Sequence, residues 1–144
     1  MDKTLFVIRR KKNSIQYLAG HIGDGTIFYE NDSKNVQVLS EPERGEYANT
    51  TIFLTSSNSK SKFRIYSGIL KRPIAFMIMS DGAADTLYIK KTKAPNQIYC
   101  QQLFNWCNKY SQNKISKALQ WNLQNGVFRE VSSDDCSLCV LKVT

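Results

Sequence analysis

No stretch of this 144-residue chain is apolar for long enough to cross a bilayer as a helix. Such a helix needs about 20 consecutive apolar residues, and the longest apolar runs here, such as Ile74 to Met79, are the size of a strand. The opening Met-Asp-Lys-Thr-Leu and the basic residues after it lack the basic, apolar, small-residue order of a signal peptide, so the expected location is cytoplasmic. There is no phosphate-cradling glycine loop with Lys and Ser/Thr, and no dinucleotide-binding glycine pattern. Histidine occurs once, at His21 among apolar neighbours, and reads as an ordinary strand residue rather than a general acid. Ser80 has no partner set for a nucleophilic triad.

What is present is enough apolar material for a packed core: hydrophobic residues make up 42%, which sets the chain apart from a disordered tail. The length suits one domain or a large piece of one. Four cysteines include the pair Cys136 and Cys139 in C-x-x-C spacing. That spacing invites a zinc or redox reading. The residues around it, Cys136 to Val143, look like a strand, where positions three apart face opposite ways. All four thiols are therefore read as small hydrophobes.

Twenty basic residues against twelve acidic ones leave a net charge of +8. The cations cluster at Arg9 to Lys12, at Lys60 to Arg64 and at Lys90 to Lys93. A basic surface can attract nucleic acid. No nucleic-acid motif accompanies the charge, so the clusters are read as solvated hairpin tips and strand ends. A basic nucleic-acid-binding β-domain is the distant alternative, and a salt-dependent shift with random oligonucleotides would favour it.

The first two thirds read as strands: Thr4 to Arg10, Ile15 to Ile22, Thr26 to Glu30 and Val36 to Leu39, joined as an antiparallel meander with a tight Gly23-Asp24-Gly25 turn. A loop with Pro42, Gly45 and Asn49, a strand Thr51 to Thr55 and a polar turn Ser56 to Ser61 follow. Phe63 to Tyr66 and Ile74 to Met79 are further strands; Asp81-Gly82 breaks the second, and Ala83 to Tyr88 is a short helix. Then the period changes. Ile98, Leu103, Phe104, Trp106, Cys107 and Tyr110 fit an amphipathic helix entered after Pro95-Asn96. A second helix, capped by Ser111 or Asn113, carries Ile115, Ala118, Leu119 and Leu123 and stops at Asn125-Gly126. Trp106 and Trp121 are packing or boundary residues on these helices.

Three acidic positions share a context. Asp24, Asp81 and Asp134 each lie at the end of a hydrophobic strand, and Asp85 follows Asp81 by one helical turn. If the strand ends meet at one sheet edge, the carboxylates converge. Close carboxylates repel unless protonated or bridged by a cation, and hard divalent ions with oxygen ligands, Mg²⁺ or Mn²⁺, are the natural bridge.

These contexts also resemble a known family. Gly23-Asp24-Gly25 is similar to the central Gly-Asp motif of type 2C metal-dependent Ser/Thr protein phosphatases. Met79-Ser80-Asp81-Gly82-Ala83-Ala84-Asp85 resembles their Ser-Asp-Gly-x-x-Asp motif, and Ser133-Asp134-Asp135-Cys136-Ser137 their closing Asp-Asp/Asn-x-Ser/Thr motif. Leu39 to Pro42 with Gly45 to Asn49 is similar to a loop of a bacterial subgroup. The resemblance spans the chain but only the latter half of the family domain. It implies an α+β fold, an antiparallel β-sandwich flanked by helices and incomplete on its N-terminal side. It implies that Asp81 and Asp134 ligate one Mg²⁺ or Mn²⁺ of a two-metal centre, and that Asp24, Asp81 and Asp85 form a weaker third site. The implied activity is hydrolysis of phosphoproteins.

The family's early acid, its early Asp-Gly motif and its phosphate-binding Arg have no counterpart here; Arg9 and Arg10 sit in a strand before a turn. The chain alone is therefore expected to be inactive, either a fragment that needs its N-terminal half or a non-catalytic phosphatase-like interaction module. Half a sandwich leaves an apolar face and sheet edges uncovered, so self-association or a rearranged compact fold is expected.

Overall fold

A computed structural model describes residues 3–42 and 62–144. The expected loop with Gly45 and Asn49, the strand Thr51 to Thr55 and the turn Ser56 to Ser61 lie outside the described residues.

Two antiparallel sheets carry the architecture. The first contains β1 (Lys3–Arg10), β2 (Ser14–Ile22) and β5 (Arg64–Lys71) in the order β1-β2-β5. The second contains β3 (Thr26–Glu30), β4 (Val36–Ser40), β6 (Ile74–Met79) and β9 (Leu138–Val143) in the order β4-β3-β6-β9. The expected meander is thus interrupted: β2 and β3 are consecutive in the chain but belong to different sheets. The switch is made at Gly23, whose φ of 118° is open to glycine and strained for other residues. A short helix α1 (Asp81–Leu87), a two-stranded ribbon β7 (Tyr88–Ile89) and β8 (Ala94–Pro95), and helices α2 (Gln97–Lys109), α3 (Gln112–Asn125) and α4 (Val127–Val131) complete the fold.

The central strand β6 explains the most apolar run in the sequence. Alternate side chains point to opposite faces of a strand, and both faces of β6 are covered. Ile74 and Phe76 join Ile15, Tyr17, Phe6 and Ile8 of the first sheet. The Phe76 ring lies 4.6 Å from Phe6 and 5.5 Å from Tyr17, within aromatic contact range. Ala75, Met77 and Met79 join Leu87 of α1 and Cys100, Leu103 and Phe104 of α2. Helix α2 is held at its entry by Asn96, whose side chain accepts from the Tyr99 N–H. Gln97 clamps β4 by accepting from Val36 N at 3.0 Å and donating to Val36 O at 2.6 Å.

Among the described residues the first sheet is covered on one face only. On its inner face Ile15, Tyr17 and Ala19 are buried and Phe6, Ile8, Tyr66 and Leu70 partly so, while Leu5, Val7, Leu18, Ile65 and Ile69 on its outer face are exposed, Ile65 and Ile69 by more than 60% each. Register places these residues side by side across three strands: Val7 opposes Leu18, and Leu5 and Ile65 both flank Gly20. Among the described residues no helix is long and apolar enough to cross a membrane.

Candidate metal centre

The ends of β3, β6 and β9 meet. Thr26 pairs with Met79, and Met79 pairs with Leu138. Asp24, just before β3, Asp81, just after β6, and Asp134, before β9, are therefore delivered to one end of the four-stranded sheet. Their proximity is felt electrostatically. Burial pushes the Asp81 carboxyl above the usual carboxylate range, the Gly82 N–H pulls it down, and the charges of Asp24 and Asp134 push it up further.

A lattice of backbone bonds holds the arrangement. Ser80 donates its N–H to Ser137 O at 3.1 Å and its hydroxyl to Asp135 O at 3.1 Å, and its Oγ accepts from Ser137 N at 3.0 Å. This lashing keeps residues 135–137 in a loop, so the closing strand starts at Leu138 and not at Cys136 as expected from the sequence. It also lets α1 begin at Asp81, where a strand-breaking turn was expected. Glycine is required next. A Cβ on Gly82 would stand 2.7 Å from Asp135 O and 3.3 Å from the Asp134 Cβ. Gly82 N donates to Asp81 Oδ1 at 2.9 Å, and Asp135 N donates to Asp134 Oδ1 at 2.8 Å.

Asp85 lies on the same helix with both oxygens engaged. Oδ1 is 2.5 Å from Lys90 Nζ, and Oδ2 accepts from Ser132 Oγ at 3.1 Å. Ser132 Oγ also accepts from Asp134 N at 3.3 Å, which links α4 to the loop carrying Asp134. Arg129 donates to the carbonyls of Ser133 and Asp134.

The Asp24 turn is braced by Arg64. Its Nη2 donates to Gly23 O at 2.9 Å and lies 3.2 Å from His21 Nδ1, and its Nη1 bonds Glu41 O. An arginine N–H can only donate, so His21 Nδ1 is an acceptor there. The same atom lies 2.7 Å from Ser40 Oγ, and His21 is buried. His21 thus forms part of the scaffold behind Asp24. Ser80 belongs to the Ser-Asp-Gly-x-x-Asp motif but was given no role beyond it, and Ser132 and Arg64 carried no motif. In the sequence, Ser132 stands two residues before Asp134, whereas the pairing of Arg64 with His21 emerges only from the sheet register.

The cysteines take no part in a shared site. All are free. Cys136 precedes β9 and Cys139 lies on it. Cys100 is buried, and burial pushes its thiol up to about 12, as suits an inert core residue.

The donor set is carboxylate oxygen, which suits a hard divalent cation. Among the described residues, however, no three His, Cys, Asp or Glu side chains close around one point as a metal cage. What the strand ends bring together is a set of carboxylates, with burial first and then the charges of Asp24 and Asp134 raising the proton affinity of Asp81.

Comparison with curated proteins and with solved structures finds no match. The family profile described as Protein phosphatase 2C matches residues 2–122, a span that holds Asp24, Asp81 and Asp85 and ends before Asp134. That match covers most of the sequence, and the chain belongs to the protein phosphatase 2C family.

Proposed function

We propose that this chain is the C-terminal portion of a metal-dependent Ser/Thr protein phosphatase domain, inactive until an N-terminal portion supplies the remaining ligands and the phosphate-binding arginine. The supporting observation is that Asp24, Asp81 and Asp134 come from three separated segments to one sheet end, where burial first, and then the charges of Asp24 and Asp134, raise the proton affinity of Asp81. In this reading Asp81 and Asp134 hold one Mg²⁺ or Mn²⁺, and Asp24, Asp81 and Asp85 serve a weaker third site. Asp85 can take that role only if its oxygen is released from Lys90. Bound divalent ions would supply a water nucleophile near neutral pH for attack on a phosphoprotein monoester. The chain's own contribution is to fix the carboxylates through Ser80, Ser132 and Arg64.

A second reading has its own observation. The bare outer face of the first sheet, with Leu5, Val7, Leu18, Ile65 and Ile69, marks an association surface. It serves either the missing portion of the domain or self-association of a non-catalytic module. Mn²⁺ titration with p-nitrophenyl phosphate turnover separates the two readings, using this chain, a version extended upstream, and Asp81→Ala in each. The phosphatase reading expects Mn²⁺-dependent turnover in the extended version, lost in Asp81→Ala, and none in the short chain. Turnover absent from both, with no Mn²⁺ binding, leaves the interaction module.

A further inference from the structure

At the other end of β6 the chemistry reverses. Ile74 and Val143 pair there, and Glu30 ends β3. A six-residue strand places that end about 17–20 Å from Met79. An open groove of about 820 Å³ lies at this end. Four cations from four separate segments line it: Lys12 from the β1–β2 turn, Lys34 from the β3–β4 hairpin, Arg72 from the β5–β6 turn, and Lys142 from β9. Glu30 is the one acidic side chain among the lining residues. Among the described residues Lys12, Lys34 and Lys142 are in no ion pair, and Arg72 is engaged by the Thr144 oxygen; the side-chain pair found is Lys90 with Asp85, elsewhere in the fold.

The groove is built rather than incidental. Lys34 holds a left-handed φ of 58° in a hairpin where Asn31 Oδ1 accepts from Ser33 N and Asn35 N. Gln101 of α2 donates to Lys34 O at 3.1 Å. Arg72 is steered by the backbone oxygens of Lys11 and Thr144, and its N–H donates to Asn13 O at 3.4 Å. Helix α2 adds Asn105 and Asn108, which follow Gln101 at i+4 and i+7 on one helical face and also line the groove.

Gathering like charges around one cavity is unfavourable unless an anion occupies it. Among the described residues no aromatic side chain lines the groove, so they offer no stacking platform for single-stranded nucleic acid. Its volume suits a small molecule. We propose that this end of the sandwich is a binding site for a small oligophosphate anion. Lys12, Lys34, Arg72 and Lys142 neutralise the phosphate chain, and Asn105 and Asn108 hydrogen-bond its oxygens or its organic substituent. The proposal stands apart from the phosphatase reading, because it uses residues at the opposite end of the sheet.

The test is isothermal titration calorimetry of the full chain without divalent metal, using sodium tripolyphosphate, ATP and orthophosphate. Tripolyphosphate is expected to bind, and the Lys12→Gln/Lys142→Gln variant to bind it at least tenfold more weakly with an unchanged circular dichroism spectrum and melting temperature. Lys117→Gln, a surface cation on α3, should leave binding unchanged. Equal affinity for ATP and tripolyphosphate identifies the phosphate chain as the recognised group. Tighter ATP binding that Asn105→Leu abolishes identifies a nucleotide. Absence of binding, affinity for orthophosphate equal to that for tripolyphosphate, or equal weakening by Lys117→Gln would each overturn the proposal.

Discussion

The two sheets of this molecule receive unequal cover. The four-stranded sheet has the three-stranded sheet on one face and α1 and α2 on the other, so Phe28, Phe76 and Met77 are fully buried. Among the described residues the three-stranded sheet has a partner on its inner face only, and side chains such as Ile65 and Ile69 on its outer face are exposed. Both sheets use the same kinds of residue, so composition does not distinguish them. The difference is in which neighbours exist, and it predicts where substitution will hurt.

The largest contrast should come from paired truncations. Phe76→Ala removes the ring at the centre of the inter-sheet core and is expected to lose about 3–5 kcal/mol. Leu18→Ala on the bare face is expected to change stability by no more than about 0.5 kcal/mol. Urea denaturation of both variants checks this, and equal losses would break the comparison. Next in size is Gly82→Ala. Its Cβ would press on Asp135 O, and forcing α1 away from that loop is expected to cost about 1–3 kcal/mol, read as a lower melting temperature.

Smaller in stability but sharp in outcome is the double change Ile65→Lys and Ile69→Lys. Stability should move by less than about 0.5 kcal/mol, while any oligomer seen by light scattering should shift to monomer. An oligomer that survives would place association elsewhere. The smallest effect concerns Asp81. Its folded carboxyl has a raised proton affinity, chiefly from burial, with the Asp24 and Asp134 charges adding to it. The folded state therefore holds its proton more tightly than the unfolded one, and stability is lost as pH rises from the unfolded pKa through the raised one. Without metal, Asp81→Asn should stabilise the chain at pH 7. The gain should be at most about 0.5 kcal/mol after allowance for solvent screening, and it should vanish below about pH 3.8. A gain that persists in strong acid would point to a cause other than charge.

Much of this was legible in the residues. The strand Ile74–Met79 was readable because burial on both faces makes an unbroken apolar run. Asp24, Asp81 and Asp134 were recognisable from their places at strand ends, and the structure brings those ends together. Other features were hidden because they depend on distant neighbours. The sequence reads as a strand over Phe63 to Tyr66. β5 runs on to Lys71, because Gly68 lies under the Tyr17 ring, where a Cβ would stand 2.8 Å from Cε1. The basic groove was invisible for a related reason. Apart from Lys12, its cations lie outside the charge clusters, dispersed along the chain as Lys34, Arg72 and Lys142.

The bonds from Ser80 to Asp135 and Ser137 join positions 55 and 57 residues apart in sequence. A contact of such long range waits for loop closure and is a slow event in folding. During synthesis, Asp24 and Asp81 leave the ribosome long before Asp134. The acidic end is therefore completed last, and a nascent chain keeps Asp134 apart from Asp24 and Asp81 until β9 has docked.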